Sequence, residues 1–335
     1  MEAPIPHEIM NRMLSGYWST QALYVAAKLG LADLLIEGPR SIDDLAQATN
    51  THAPSLYRLL RGLASMGVFA DVGNARFTLT PLAECLRSDL PGSQRALAIM
   101  GGEEHYQAWG ELLYSVQTGK TSFDKLYGMP IFEFLSKNIE QAKVFDAAMV
   151  GVHGRETTAM TDAYDFSDVK VLADIGGGNG SLLTTVLTKY PHMKGILYDL
   201  PGVTERATVS LSAAGLSDRC QVMGGNFFES VPAGADAYLM RHIIHDWDDE
   251  KATTILRHVH QVLPSHGRLL VVEGVIPPGN TPCFGKLLDL TMLTLPGGKE
   301  RTDDEFRTLF KSAGFHLSRI VPTSAEVSII EGKKQ

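Results

Sequence analysis

The chain has little cysteine, no long apolar run and no excess of positive charge, and each lack closes off a class of protein. Its three cysteines, Cys85, Cys220 and Cys283, are odd in number and far apart. Neither a disulfide framework nor a cysteine-based zinc site is expected, and a reducing cytoplasm fits best. No uninterrupted apolar stretch reaches the roughly 18 to 20 residues of a membrane helix. The best candidate, LLVVEGVI, is broken by Glu273. The first residues, MEAPIPHEIM, lack the basic and apolar segments of a secretory signal. A net charge of -8 argues against binding to a phosphate backbone. There are no repeats and no low-complexity segments. With 335 residues, 44% hydrophobic and 20% charged, the chain suits a soluble two-domain enzyme.

The first part reads as helices followed by a hairpin. Ile9, Met13, Trp18, Leu23, Val25 and Leu29 recur at helical spacing over 9–29. Ser41 and Asp44 mark the start of a helix at SIDDLAQA, and a further helix over 54–66 buries Leu56, Leu59, Leu60 and Leu63. VFADVGNARFTLT then alternates about Gly73 and Asn74. This is the winged-helix order, whose sharp meaning is DNA recognition. The module is nearly neutral, so packing is favoured over DNA. Tyr17, Trp18 and Tyr24 on the first helix suit a dimer interface.

Residues 91–164 read as wholly helical, and after Phe166 the texture becomes alternating strands and helices. KVLADI, GILYDL, CQVMGG, DAYLMR and RLLVVEG imply a parallel doubly wound sheet, and FHLSRIV and EVSII an antiparallel hairpin at one edge. The expected boundaries are 1–100, a helical connector 101–165, and 166–335.

The turn DIGGGNGS follows the first of these strands. It has no lysine and so is not a P-loop. Gly176, Gly178 and Ser181 match a dinucleotide fingerprint imperfectly, and spacing alone leaves that reading open, with Asp199 as its acid. Asp174 argues otherwise, because it would repel a pyrophosphate and attract the cationic methionine moiety of S-adenosylmethionine. Asp199, at the end of the next strand, is placed to accept the ribose hydroxyls.

DIGGGNGS, YDLPGV, GGNFFESVPAGADAYLMRHIIHDWDDE, GRLLVVEGVIP, DLTMLTLPGGKERTDDEF and AGF together resemble the S-adenosylmethionine-dependent small-molecule O-methyltransferases of plant phenylpropanoid and bacterial polyketide or phenazine tailoring. The resemblance covers nearly the whole chain. It implies a Rossmann-like methyltransferase domain behind a winged-helix dimerisation module, a homodimer, and a small, aromatic hydroxylated acceptor. It implies that Gly176 contacts the methionine moiety, Asp199 and Leu200 the ribose and adenine, Asn226 and Phe227 the adenine, and Arg241 the methionine end. Asn226 stands where aspartate is usual, and Arg241 where lysine is frequent.

His245 falls just past a strand at the ligand-bearing edge, and an imidazole there suits removal of a phenolic proton. Asp248 reads as the cap of the following helix, which counts against a metal site in HDWDD. Glu273, ending an apolar strand, is costly unless exposed or paired. Glu300 alone would read as an exposed loop acid. The resemblance makes His245 the general base, with Glu273 and Glu300 orienting it. It also allows a relative of this architecture to have kept the cofactor and changed the chemistry, as hydroxylating members do. The acceptor pocket is expected to draw on His105, Trp109, Phe145, Met149 and Met292.

Overall fold

The computed structural model describes residues 5–335, and these form two compact units. The first comprises residues up to Gln107 together with Ile139–Val152; the second comprises Ala108–Asn138 and His153–Gln335. The segment expected as a connector over 101–165 is thus shared between them.

In the first unit the opening helix is interrupted. Pro6–Leu14 and Gly16–Lys28 are separate, because the Ser15 hydroxyl donates back to the Asn11 carbonyl at 2.9 Å and draws the chain out of the helix. Helices Ile42–Thr49 and Ala53–Ser65 follow, the first capped by Ser41 accepting the Asp44 N–H at 3.2 Å. A three-stranded sheet closes the unit: β1 (Arg40–Ser41), β2 (Phe69–Asp71) and β3 (Arg76–Leu79), in the order β1-β3-β2. Leu45, Leu60, Leu63, Phe69 and Phe77 form the core. Met13, Leu14, Tyr17 and Trp18 are left more than half exposed, at 71, 66, 53 and 64%.

The second unit holds seven strands: β4 (Val171–Ile175), β5 (Lys194–Asp199), β6 (Cys220–Gly224), β7 (Ala237–Arg241), β8 (Arg268–Glu273), β9 (Phe315–Pro322) and β10 (Ser328–Lys334). Their order is β6-β5-β4-β7-β8-β10-β9; the first five are parallel and β10 runs antiparallel to both neighbours. Alternate residues feed two cores. Tyr238, Met240 and Val271 pack towards Ile255, Leu256 and Phe306, while Leu172, Leu239 and Leu270 join Leu183, Val186 and Leu211. Burial on both faces is why these strands read as nearly continuous apolar runs.

The chain leaves β4 towards β5 and β6, then returns to add β7 on the other side. A cleft opens at such a reversal, at the carboxyl ends of the strands. Asp174, Asp199, Arg241 and Glu273 lie at those ends of β4, β5, β7 and β8. Upstream, the helical stretch is a series of short helices ending at left-handed Gly119 and Gly128, then the 25-residue helix Ile139–Ala163. No helix among the described residues is long and apolar enough to cross a membrane.

Candidate active site

Asp174 is 2% exposed, and its Oδ2 has no hydrogen-bond partner among the described residues. Burial pushes its carboxyl up to about 7, against the pull of the Arg241 guanidinium and with a push from Asp199. A buried acid without a donor is stable only if a counter-charge or a proton joins it. Gly176 adopts φ +74°, and a Cβ there would sit 2.3 Å from Ile243 Cδ1. Only glycine lets the turn pass beneath the residues that follow β7.

Asp199 binds the turn to the next strand. Its Oδ2 accepts the Gly178 N–H at 2.9 Å and its Oδ1 the Leu200 N–H at 2.7 Å. Gly178 contributes its φ of +57° rather than a close approach. The turn Gly176–Gly180 carries no cationic side chain, and two carboxylates flank it. This donor set fits S-adenosylmethionine, with its ammonium and sulfonium, and does not fit a pyrophosphate.

The other expected cofactor contacts are placed as follows. Leu200 is half-exposed at the start of helix Pro201–Ala213. The Asn226 carbonyl oxygen, expected to face adenine, already accepts the Phe228 N–H at 3.0 Å, leaving one lone pair. Phe227 packs edge-on against Phe228 and Trp247. Arg241 is committed to helix Ile139–Ala163, donating to Thr157 Oγ1 at 2.6 Å and the His153 carbonyl at 3.3 Å.

His245 lies in the single 3-10 turn Ile244–Asp246, directly beyond β7, and is 6% exposed. Its Nδ1 is 2.6 Å from Glu300 Oε1, so the Glu300 carboxylate fixes the ring and leaves Nε2 available, 3.5 Å from Asp246 Oδ1. Glu273 Oε1 accepts the His245 backbone N–H at 3.0 Å, so its hydrogen bond goes to the loop that carries the imidazole. Burial opposes charge on His245, but Asp246, Glu300 and Glu273 outweigh it and raise its pKa to about 10. Burial likewise raises Asp246 to about 6 and moves Glu273 upward. Asp248 is the helix cap, accepting the Lys251 N–H at 2.8 Å.

Glu300 is buried, not an exposed loop acid. Its own N–H donates to Asp289 Oδ1 at 2.8 Å. The neighbouring Gly298 lies so close to the histidine turn that a Cβ would meet the His245 carbonyl oxygen at 2.0 Å. Arg301, fully buried, donates to the carbonyls of Ile244, Trp247 and Lys299 and to Asp249 Oδ1. Sequence reasoning missed both. An arginine in GGKERT carries no local sign that its acceptors come from a segment some fifty positions earlier.

Of the expected acceptor residues, Trp109 and Met292 belong to the second unit: Trp109 Nε1 donates to Thr291 Oγ1 at 3.2 Å, and Met292, the next residue in the chain, is buried. His105, Phe145 and Met149 belong to the first unit. Phe145 and Met149 sit one turn apart on Ile139–Ala163. Burial lowers His105 to about 4.

Comparison with known proteins accords with this geometry. The model of the O-methyltransferase domain matches residues 109–316, and that of the O-methyltransferase dimerisation domain matches residues 11–89. Phenazine O-methyltransferase PhzM of Lysobacter antibioticus is 48% identical over 325 residues, covering 97% of this chain and 95% of that protein. The crystal structure of LaPhzM gives a TM-score of 0.96 at 47% identity, covering 99% of this chain and 100% of that one. NcsB1, an O-methyltransferase of neocarzinostatin biosynthesis solved with S-adenosylmethionine and 2-hydroxy-5-methyl naphthoic acid, gives 0.84 at 34% identity, covering 95% and 96%. With both domains matched in order and a near relative aligned end to end, the chain belongs to the O-methyltransferase family.

Proposed function

We propose that this enzyme methylates a hydroxyl of a small aromatic metabolite, with S-adenosylmethionine as methyl donor and His245 as general base. The observation that carries the reading is the His245–Glu300 contact at 2.6 Å, which anchors one ring nitrogen and leaves the other for the acceptor. S-adenosylmethionine supplies an electrophilic methyl group on a sulfonium. Asp174 offers a buried charge to its cationic end, and Asp199, pinned by two amides, offers its remaining capacity to the ribose. Glu273, Gly298 and Arg301 hold the His245 turn in place.

The raised His245 pKa, about 10, brings the ring towards the range of a phenol and so favours taking its proton. The ring is protonated at neutral pH in the resting enzyme. A neutral phenol can therefore use it only if one proton leaves as the acceptor binds. The rest of the acceleration comes from orientation, which brings the oxygen to about 3 Å from the methyl carbon.

The acceptor pocket is assigned to Trp109 and Met292, both of the second unit. The exposed Met13, Leu14, Tyr17 and Trp18 support a homodimer. Turnover assays on phenolic acceptors test the reading: S-adenosylhomocysteine and methyl ether should form in equal amounts, and light scattering should give twice 36.5 kDa. A hydroxylated product without S-adenosylhomocysteine would place the chain with the members of altered chemistry.

A further inference from the structure

A second polar cluster adjoins the base and has no part in the chemistry above. His153 and Glu156 come from helix Ile139–Ala163, and His242 immediately follows β7. His242 Nε2 lies 2.9 Å from Glu156 Oε2, both side chains being about nine-tenths buried. The His153 ring stacks on that of His242, centroids 4.3 Å apart and planes 10° from parallel. The other nitrogen of His242, Nδ1, is buried and has no hydrogen-bond partner among the described residues. The His242 and His245 centroids are 5.0 Å apart. His242 also sits at φ +53°, a conformation that non-glycine residues hold only when their surroundings dictate it.

Two kinds of chemistry could use such a cluster. The nitrogens and carboxylate lie within 4.8 Å of one another, as a metal site requires. An imidazole, however, binds a metal in its own plane at about 2.0 to 2.1 Å. Two stacked parallel rings direct their lone pairs into separate planes, so one ion between them would sit far out of both. The stack opposes a metal. It suits proton movement, since His242 has one nitrogen bonded to a carboxylate and the other free to receive.

We propose that His242 and Glu156 form the exit path for the proton that His245 takes from the acceptor. This rests on His245 being the general base. As the methyl–oxygen bond forms, the acceptor O–H proton passes to His245 Nε2. That proton restores the resting ring and, when the next acceptor binds, moves to His242 Nδ1, directly after a small ring rotation or through one water. His242 releases its Nε2 proton to Glu156 Oε2, Glu156 gives it to solvent, and the His242 ring resets. One proton leaves for each methyl group transferred.

Several charged and titratable groups face His242. They are Glu156 and His153 on the helix, Arg241 before it, and His245 and Asp246 after it. Burial, reinforced by His242, Arg241 and His245, holds His153 far below the ordinary histidine range, so it stays neutral and does not divert the proton. Glu156 lies on a helical turn between exposed Arg155 and exposed Thr158. A path is needed because the His245 side chain is only 8% exposed.

Rapid-quench and steady-state kinetics on Glu156→Gln and His242→Asn test the path, asparagine being a residue that tolerates positive φ. With the acceptor bound before S-adenosylmethionine is added, the expected result is a first turnover within about twofold of wild type and a steady-state rate lower by roughly tenfold. Added imidazole should restore that rate, and its solvent deuterium isotope effect should be larger than in wild type. Unchanged steady-state rates in both variants, or equal loss of the first turnover without rescue, would overturn the path. So would loss of activity with EDTA that Zn²⁺ restores in wild type but not in Glu156→Gln, which would make the cluster a metal site. His245→Ala separates the two readings: if it keeps the first turnover, the base assignment itself fails.

Discussion

Asp174 and Glu273 lie at the carboxyl ends of buried strands of one sheet, and each has a carboxylate oxygen that no described donor reaches. Their surroundings differ. Glu273 spends its other oxygen on the His245 backbone N–H, within a cluster where Glu300 and Asp246 surround a raised histidine. Asp174 has the charges of Arg241 and Asp199 around it, and burial raises its carboxyl to about 7. One end of the cleft is thus assembled before any ligand arrives, and the other holds a charge in reserve for a cation. A buried carboxyl group at each end is thus proposed to position at one and to bind at the other, because the donors around it differ.

This contrast can be broken by mutations that act on one end alone. The largest effect is expected for His245→Ala, a loss of about 10² to 10⁴ in turnover, the usual worth of a general base. S-adenosylmethionine affinity should stay within a few-fold, and a parallel loss of affinity would show that the two ends are not separate. Gly298→Ala should follow, because its Cβ would meet the His245 carbonyl oxygen at 2.0 Å and force the Glu300 loop away. We expect about 10² in turnover, in keeping with misplaced catalytic groups. Crystallography should show the His245–Glu300 contact lengthened; an intact contact with full activity would remove Gly298 from the account.

At the other end, Asp199→Ala removes the acceptor of two backbone amides and, as proposed, of the ribose. Affinity for S-adenosylmethionine should fall by about 1.5 to 3 kcal/mol, the range for hydrogen bonds to a charged group. Calorimetry showing unchanged affinity would overturn the cofactor assignment. The smallest effect is the pH dependence of that affinity. Asp174 must be ionised to meet a cation, so binding should weaken as pH falls through about 7 and level off above it. One coupled proton gives about a tenfold loss per pH unit on the acid side. A flat profile between pH values on either side of that point would mean that Asp174 does not meet the cation.

The two ends also differed in how far they could be read in the sequence. Asp174, Gly176, Gly178 and Asp199 are carried by strand–turn segments whose chemistry is local, so the residues alone pointed to a cationic ligand. The sheet was legible for the same reason: two-sided burial produces apolar runs, and the brief spacing of the last two strands implied their hairpin. The base cluster was legible only in part: His245 through its place past a strand, and Glu273 and Glu300 through the resemblance. Glu300 and Arg301 are polar residues in a glycine loop, and their burial is created by the turn at 244–247, which they meet only after folding. Glu273 could be seen to need a partner, but not that its partner is a backbone N–H. The Ser15 break escaped notice because a side-chain hydroxyl folding back on its helix leaves the apolar spacing intact.

The central claim is that the assembled end takes the acceptor's proton. It is tested most directly by titrating a phenolic acceptor into the S-adenosylhomocysteine complex at about pH 8, in two buffers of different ionisation enthalpy. At that pH a phenol of about 10 is neutral and His245, also near 10, is protonated, so the account predicts about one proton released per acceptor bound. His245→Ala should release none. Acceptor binding without proton release in the wild-type enzyme would contradict it.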